Sequence, residues 1–351
     1  MRQHMGLARR FLAIFLTMGT VVALSACSFA SKGSATSSAQ TSSSAGPIPV
    51  VATIRPWGSL AAELGGDQVS VTTIISDPNL AIKEYEPKTA DITTIGKSRI
   101  LMVNGAGYDD WAMKSVPKDA TLVSASDAVG ASEGDNPYLW FSKDVRNSVA
   151  AEMTEAFAKA LPSKKSYFDA RLKAWKKTET TLETLVRTVS SQADKKMGYA
   201  QERPIAYYLM ADLGFVDDTP QKFAQTLSNN EEPTNAEINE FLSLLGESKH
   251  PSIFLQDSTQ ASTDIQKRLL KAARSNAVPV ADVTEEMPSQ ETSLNGWITA
   301  ITTNIAKATN LKTEIATDGG KADSKSSQSA QSSSDAQPTT DASSSSSNTG
   351  K

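Results

Sequence analysis

Apolar and polar positions change period several times along the chain, and the changes mark out its elements. Residues 48–54, IPVVATI, are a short apolar run rich in β-branched side chains, which predicts a buried strand. WGSLAAELGG follows with helical spacing and ends at Gly65 and Gly66, a predicted helix stop. VSVTTII at 69–75 predicts a second strand, KTADITTIGKS a helix, RILMVNG at 99–105 a third strand and ATLVSA at 120–125 a fourth. Strands alternating with helices predict a parallel sheet covered on both faces.

After NPYLWF the period turns helical. VRNSVAAEMTEAFAKALP predicts an amphipathic helix closed by Pro162, and a long helix is predicted from an N-cap at Ser163 to about Ser191. On it Phe168, Leu172, Trp175, Leu182, Val186 and Val189 lie three, four or seven apart, on one face. At 1.5 Å per residue it would measure about 40 Å, too long for one βα unit and suited to a spine between two lobes. The second half returns to alternation: helix PTNAEINEFLSLL, strand PSIFLQD, helix STDIQKRLLKAARSNA, strand VPVADVTE and a last helix, LNGWITAITTNIAKATN. The predicted class is α/β: two lobes, each a small mostly parallel sheet flanked by helices, bridged by one long backbone helix. Ligands of such sheets bind beyond the carboxyl ends of strands, so the cleft between the lobes is the expected site.

The ends of the chain break the pattern. Residues 1–27 predict a lipoprotein signal peptide, with Arg2, His4, Arg9 and Arg10 ahead of the apolar FLAIFLTMGTVVAL. Its close, LSAC, resembles a bacterial lipobox in which Cys27 is lipidated. The alternative of an uncleaved membrane helix would need about 20 apolar residues, more than this run supplies. Residues 28–46 predict a disordered Ser/Ala-rich tether and 314–351 a disordered Ser-rich tail. Between them lie an N-terminal lobe (47–162), the linking helix (163–196) and a C-terminal lobe (197–313). The expected product is exported and lipid-anchored on the outer face of the cell membrane. Cys27 is the only cysteine, which excludes intramolecular disulfides and a Cys-rich zinc knuckle. A net charge of −4 with scattered Lys and Arg argues against a nucleic-acid partner. Phosphate loops, nucleophile elbows and Cys/His metal spacings are all missing from the sequence, so nothing in it supports an enzyme.

Particular phrases carry a family likeness. GGDQV (65–69), YEP (85–87), NGAGYDDW (104–111), NPYLWFSKDV, PIAYYLMADLGF (204–215), VPVADVTEEMP and Trp297 occur in order over nearly all of 47–311. They resemble the metal-binding solute-binding lipoproteins of zinc/manganese ABC transporters, of the cluster A-I type. The resemblance implies two α/β lobes on a rigid helix, capture of Zn²⁺ or Mn²⁺ as transported ligand and delivery to an ABC permease with its ATPase. It also implies no catalysis by this subunit; no cofactor is assigned from the sequence, and a monomer is expected.

By the same resemblance, four cleft positions would hold the metal through His, Glu or Asp. Here they carry Lys83, Tyr138, Arg203 and Gln260, a degenerate set. A protonated ammonium has no lone pair, and a guanidinium effectively never loses its proton. The neighbours Glu84, Glu86, Glu202 and Asp257 could rebuild an oxygen-rich site for a harder cation, or pair with Lys83 and Arg203 as an ion-pair network bridging the lobes. Glu86 could instead cap the helix that begins near Pro87. The lone histidine after the leader, His250, reads as a surface residue, and NGAGYDD as a turn after a strand. Metal binding is therefore doubtful on the sequence, and the alternative is a non-transporting surface lipoprotein that uses the scaffold for adhesion or protein interaction.

Overall fold

A computed structural model of the protein describes residues 46–314 except 79, 81, 83, 84, 230 and 259–262. Cys27, the leader and the tether, with the tail beyond 314, lie outside the described residues.

The first sheet is built from β1 (Ile48–Ile54), β2 (Val69–Ile75), β3 (Ile100–Val103) and β4 (Thr121–Ser124), all parallel, in the order β2-β1-β3-β4. Helix α1 (Arg55–Gly65) joins β1 to β2, and α2 (Thr89–Ile95) precedes β3. Two helices then run in succession, α3 (Lys143–Ala160) and α4 (Lys165–Ser190). The second sheet comprises β5 (Gly198–Gln201), β6 (Val216–Asp217), β7 (Ile253–Gln256) and β8 (Val280–Asp282), again parallel, in the order β6-β5-β7-β8. Between its strands lie α5 (Tyr207–Asp212), α6 (Gln221–Ser228), α7 (Asn235–Gly246) and α8 (Asp264–Ser275), and α9 (Leu294–Ala308) follows β8. The two sheets thus repeat one topology, which fits the predicted class.

Both faces of each sheet are covered, and the two-residue period of a strand sorts its side chains between them. Val50, Ala52, Ile100 and Met102 face a large core that continues into Ile253, Leu255 and Trp297 of the second half. Val51, Leu101 and Val103 face a smaller layer with Ile95 and Ala112. In the second sheet Ala200 and Phe254 turn away from the shared core onto Phe223, Phe241 and Leu269. The shared core joins the lobes without a break.

Helix α4 packs against α1, α3, α5 and α9. It starts one residue later than expected, with Lys164 in place of Ser163 at the N-cap: Pro162–Lys164 form a short 3-10 turn. Its buried face holds Phe168, Trp175, Leu182 and Val189, as the spacing requires, but also Glu179 and Leu185. Leu172 and Val186 are only half-buried. Among the described residues no helix is long and apolar enough to cross a membrane.

Candidate functional site

The residues that meet between the lobes all follow carboxyl ends of strands, where open α/β sheets place their ligands. After β3 the chain makes a tight turn in which Gly105, Ala106 and Gly107 all have positive φ. A side chain at Gly105 would collide with Ser126, so glycine is required there. The Asp109 carboxylate holds the turn by accepting from the amides of Asn104 (2.7 Å) and Gly105 (2.8 Å) and from the Thr53 hydroxyl (2.5 Å). Burial raises the pKa of Asp109, and those three donors oppose the rise. The turn throws Tyr108 inward, where it is fully buried. NGAGYDD is a turn, as expected, but its tyrosine belongs to the site.

Tyr138 comes from the loop before α3, where its amide donates to Asn136 Oδ1 at 2.9 Å. Its ring meets Tyr108 and Trp140 edge to face, with centroids 6.1 and 5.7 Å away. Opposite stands Arg203, just past β5. Its Nη2 donates to the Tyr138 hydroxyl at 2.8 Å and pairs with Glu285, while Nη1 lies 3.7 Å from Asp257. The Arg203 side chain is 36% exposed, whereas those of Asp257 and Glu285 are each 5% exposed. Burial works against the Arg203 charge, but Tyr138, Glu285 and Asp257 outweigh it and hold its pKa above the ordinary value. The Tyr138 pKa is raised, by burial first and then by Glu285, with Arg203 opposing.

Glu285 and Glu286 follow β8, and both lie within hydrogen-bond reach of the Tyr108 hydroxyl, at 2.9 and 3.1 Å. A hydroxyl has one proton to donate, so Tyr108 serves one of the two carboxyls at a time. Burial, and then the Glu285 charge, raise the Glu286 pKa well above its ordinary value, with the Tyr108 hydroxyl opposing. The Tyr108 hydroxyl thus sits between the carboxyls of Glu286 and Glu285, and Arg203 pairs with Glu285 in turn. Burial, and then the charges of Glu286 and Glu285, raise the pKa of Tyr108.

The loop after Glu286 is tied to the first lobe as well. Arg55 Nε donates to the Met287 carbonyl at 3.0 Å, and its Nη2 reaches those of Pro288 and Glu291 at 3.3 and 3.2 Å. Ser59 donates to the Thr292 carbonyl at 3.2 Å. On the other side of the cleft, Asn136 donates to the Pro204 carbonyl at 2.7 Å and Tyr208 to the Asn136 carbonyl at 3.0 Å. Two hydrogen-bonded seams thus flank the Arg203 cluster. A cavity lined by Glu202, Arg203, Leu255, Asp257 and Val283 measures about 10 Å³, the room of about one water.

Of the residues singled out in the sequence, the structure brings together Tyr138, Arg203 and Asp257. Lys83, Glu84 and Gln260 lie outside the described residues. Glu86 is exposed in the loop before α2, and the helix is capped instead by Asp91, which accepts from the Lys88 amide at 2.8 Å and the Tyr85 hydroxyl at 2.6 Å. Burial and that bond push the Tyr85 pKa up to about 12. Glu202 accepts from Thr263 at 3.0 Å, and burial raises its pKa. His250 is half-buried, its Nδ1 2.8 Å from the Pro251 carbonyl. Glu285, Glu286, Tyr108 and Arg55 were missed. The signal for the two glutamates was their place directly after a strand in VPVADVTEEMP. The expected ionic bridge between lobes also takes another form among the described residues: both carboxylates that pair with Arg203 belong to its own lobe, and the first lobe contributes the neutral Tyr138 hydroxyl. Among the described residues no group of three or more His, Cys, Asp or Glu is placed to hold a metal ion.

Two parallel sheets of one topology, an unbroken helix between them and a site at the strand ends define a two-lobed solute-binding architecture. The chain belongs to the ZnuA family, "zinc-uptake complex component A periplasmic", whose profile matches residues 50–308. It is 25% identical over 271 residues to the manganese ABC transporter substrate-binding lipoprotein scaA of Streptococcus gordonii, covering 71% of this chain and 82% of that one. It is 22% identical over 292 residues to the metal ABC transporter substrate-binding lipoprotein FimA of Streptococcus parasanguinis, covering 77% and 86%. Among solved structures, the solute-binding protein FpvC of Pseudomonas aeruginosa in complex with Mn²⁺ superposes with a TM-score of 0.63 at 15% identity, covering 75% of this chain and 98% of that one. A crystal structure of ZnuA gives 0.61 at 17%, covering 75% and 99%.

Proposed function

We propose that the protein is the substrate-binding component of an ABC transporter of the zinc/manganese type, anchored through Cys27 outside the membrane and docking on a permease with its ATPase, and that its cleft is not built for a transition-metal ion. It is a binding protein with no catalytic step of its own. The transporter role rests on the family and on relatives named as substrate-binding lipoproteins of metal ABC transporters.

The observation that carries the ligand half is Arg203, seated between Tyr138, Asp257 and Glu285. Two unit charges 4 Å apart at an effective dielectric of 20 interact by about 4 kcal/mol, and a divalent ion beside the guanidinium meets about twice that repulsion. The Asp257 and Glu285 carboxylates that could offset it already face Arg203. Titration of the purified protein with Zn²⁺ and Mn²⁺ in a calorimeter is expected to show no specific heat; submicromolar affinity for either overturns this reading.

The same self-satisfied cleft favours a second reading, a non-transporting surface lipoprotein that uses the scaffold for adhesion or protein interaction. A permease and ATPase encoded beside the gene support the transporter; an isolated gene supports the second.

A further inference from the structure

The contacts of Arg203 are those of a bound ion. Its planar fork meets acceptors on both terminal nitrogens: Tyr138 and Glu285 on Nη2, Asp257 on Nη1. The Tyr138 ring stands beside it, 6.0 Å from Cζ to the centroid, at the limit of a cation–π contact. The acceptors are held by groups other than Arg203. Tyr108 fixes Glu285 from the opposite lobe at 2.9 Å, and the Tyr108 and Trp140 rings brace Tyr138. Gln266 donates to the Asp257 carbonyl at 2.6 Å. Among the described residues one guanidinium faces two carboxylates, so an anion has nothing to gain from them, and the emptied cage would attract a cation.

We propose that Arg203 is a tethered cation, the built-in occupant of a cage formed by Tyr138, Asp257 and Glu285, which holds the lobes together without solute and, once that side chain is cut back, accepts a free guanidinium ion. This rests on the reading that the cleft is not a transition-metal site, and it adds what fills the cleft instead. The 36% exposure of the Arg203 side chain gives a small cation a way in. Bridging the two lobes then needs no external ligand, so a partner that reads the closed form would meet it at all times.

The test is chemical rescue. Arg203→Ala is expected to lose several degrees of Tm and to show a larger radius of gyration by X-ray scattering than the wild type. Millimolar guanidinium chloride, far below denaturing levels, should raise the Tm with the logarithm of its concentration, as a ligand of the folded state does, and restore the radius of gyration along a saturating curve. Sodium chloride at equal ionic strength and urea should restore neither. The wild type should not respond. If Arg203→Ala does not fold, Arg203→Gln, which keeps the stem and removes the charge, takes its place. A folded variant that guanidinium leaves unchanged overturns the proposal, as does a wild type stabilised to the same degree. Zn²⁺ binding by the wild type would instead overturn the reading of the cleft, so the two failures are separable.

Discussion

Two of the arginines that face carboxylates, Arg146 and Arg203, do different work. Arg146 on α3 is enclosed: its Nε and Nη2 reach both oxygens of Glu179 on α4 at 2.7–3.2 Å, and its Nη1 donates to the Trp140 carbonyl at 3.0 Å. Their side chains are 3% and 2% exposed. One cation meets one anion in a forked geometry, with a carbonyl completing the set. Arg203 has two carboxylates and a phenol around it and keeps a third of its side chain in solvent. The first arrangement is balanced and closed, which suits a staple between the spine and the first lobe. Among the described residues the second has two carboxylates for one guanidinium, and an opening, which suits a place where something is bound. Having an arginine–glutamate pair is common to both; charge balance and access separate them.

Breaking the closed pair should have the largest effect. Glu179→Ala leaves a buried guanidinium with no counter-charge, a change that costs about 3–5 kcal/mol in comparable sites. Chemical denaturation is expected to show that loss, and the double variant Arg146→Met, Glu179→Leu should recover much of it. Arg203→Ala should cost clearly less, because water reaches its site. Equal losses at the two positions would break the distinction.

Next is Tyr108→Phe, which removes the hydroxyl between Glu285 and Glu286. Buried acceptors left without their donor cost about 1–3 kcal/mol. The same variant should loosen Arg203, because Glu285 loses its anchor to the first lobe, and guanidinium rescue of Arg203→Ala should weaken when Tyr108→Phe is added.

The fold was legible because both sheets bury alternate side chains on two apolar layers, which writes runs such as IPVVATI and RILMV into the chain. What escaped was short. Strand β5, GYAQ, is as long as β3 and β7 but opens on glycine where they open on an apolar run, and β6 has only two residues; α6 was not read either, although α5 fell within the recognised PIAYYLMADLGF. Glu179 on the buried face of α4 also broke the apolar rule, because its partner Arg146 lies 33 residues earlier on another helix. Tyr138 and Arg203 came from family likeness; no local pattern links two residues 65 apart. Glu285 and Tyr108 are 177 apart, and only the folded chain shows that they meet.

The hydrogen-bonded chain beyond Arg203 carries a pH dependence. The Glu286 pKa is raised in the folded protein, so above the ordinary glutamate range the unfolded chain has released a proton that the folded chain keeps. The folded state then binds more protons, and this contribution to stability is complete in acid and falls as pH rises towards the folded pKa. Glu286→Gln retains a donor for Tyr108 and cannot ionise. Denaturation curves from pH 5 to 8 (a range of about three units around neutrality) should be flatter for the variant. A slope identical to that of the wild type would mean that Glu286 is charged and that the proton sits elsewhere in the cluster.

The smallest effect is expected at Tyr138→Phe. It deletes the one hydrogen bond by which a described residue of the first lobe holds Arg203 directly, 2.8 Å long and charge-assisted. The ring stays, so its packing on Tyr108 and Trp140 is kept. Arg203 keeps Glu285 and Asp257, and its exposed side can take up water, so the loss should be about 0.5–1.5 kcal/mol, the net worth of an ordinary bond. A double-mutant cycle with Arg203→Ala isolates the pair, since Tyr138→Phe should cost almost nothing once the guanidinium is gone. The asymmetry with Arg146 would then be measured directly: losing one partner is severe where the set is balanced and sealed, and mild where acid is in excess and solvent has entry. A Tyr138→Phe loss as large as that of Glu179→Ala would place Arg203 among the sealed staples and remove the distinction on which the cation cage depends.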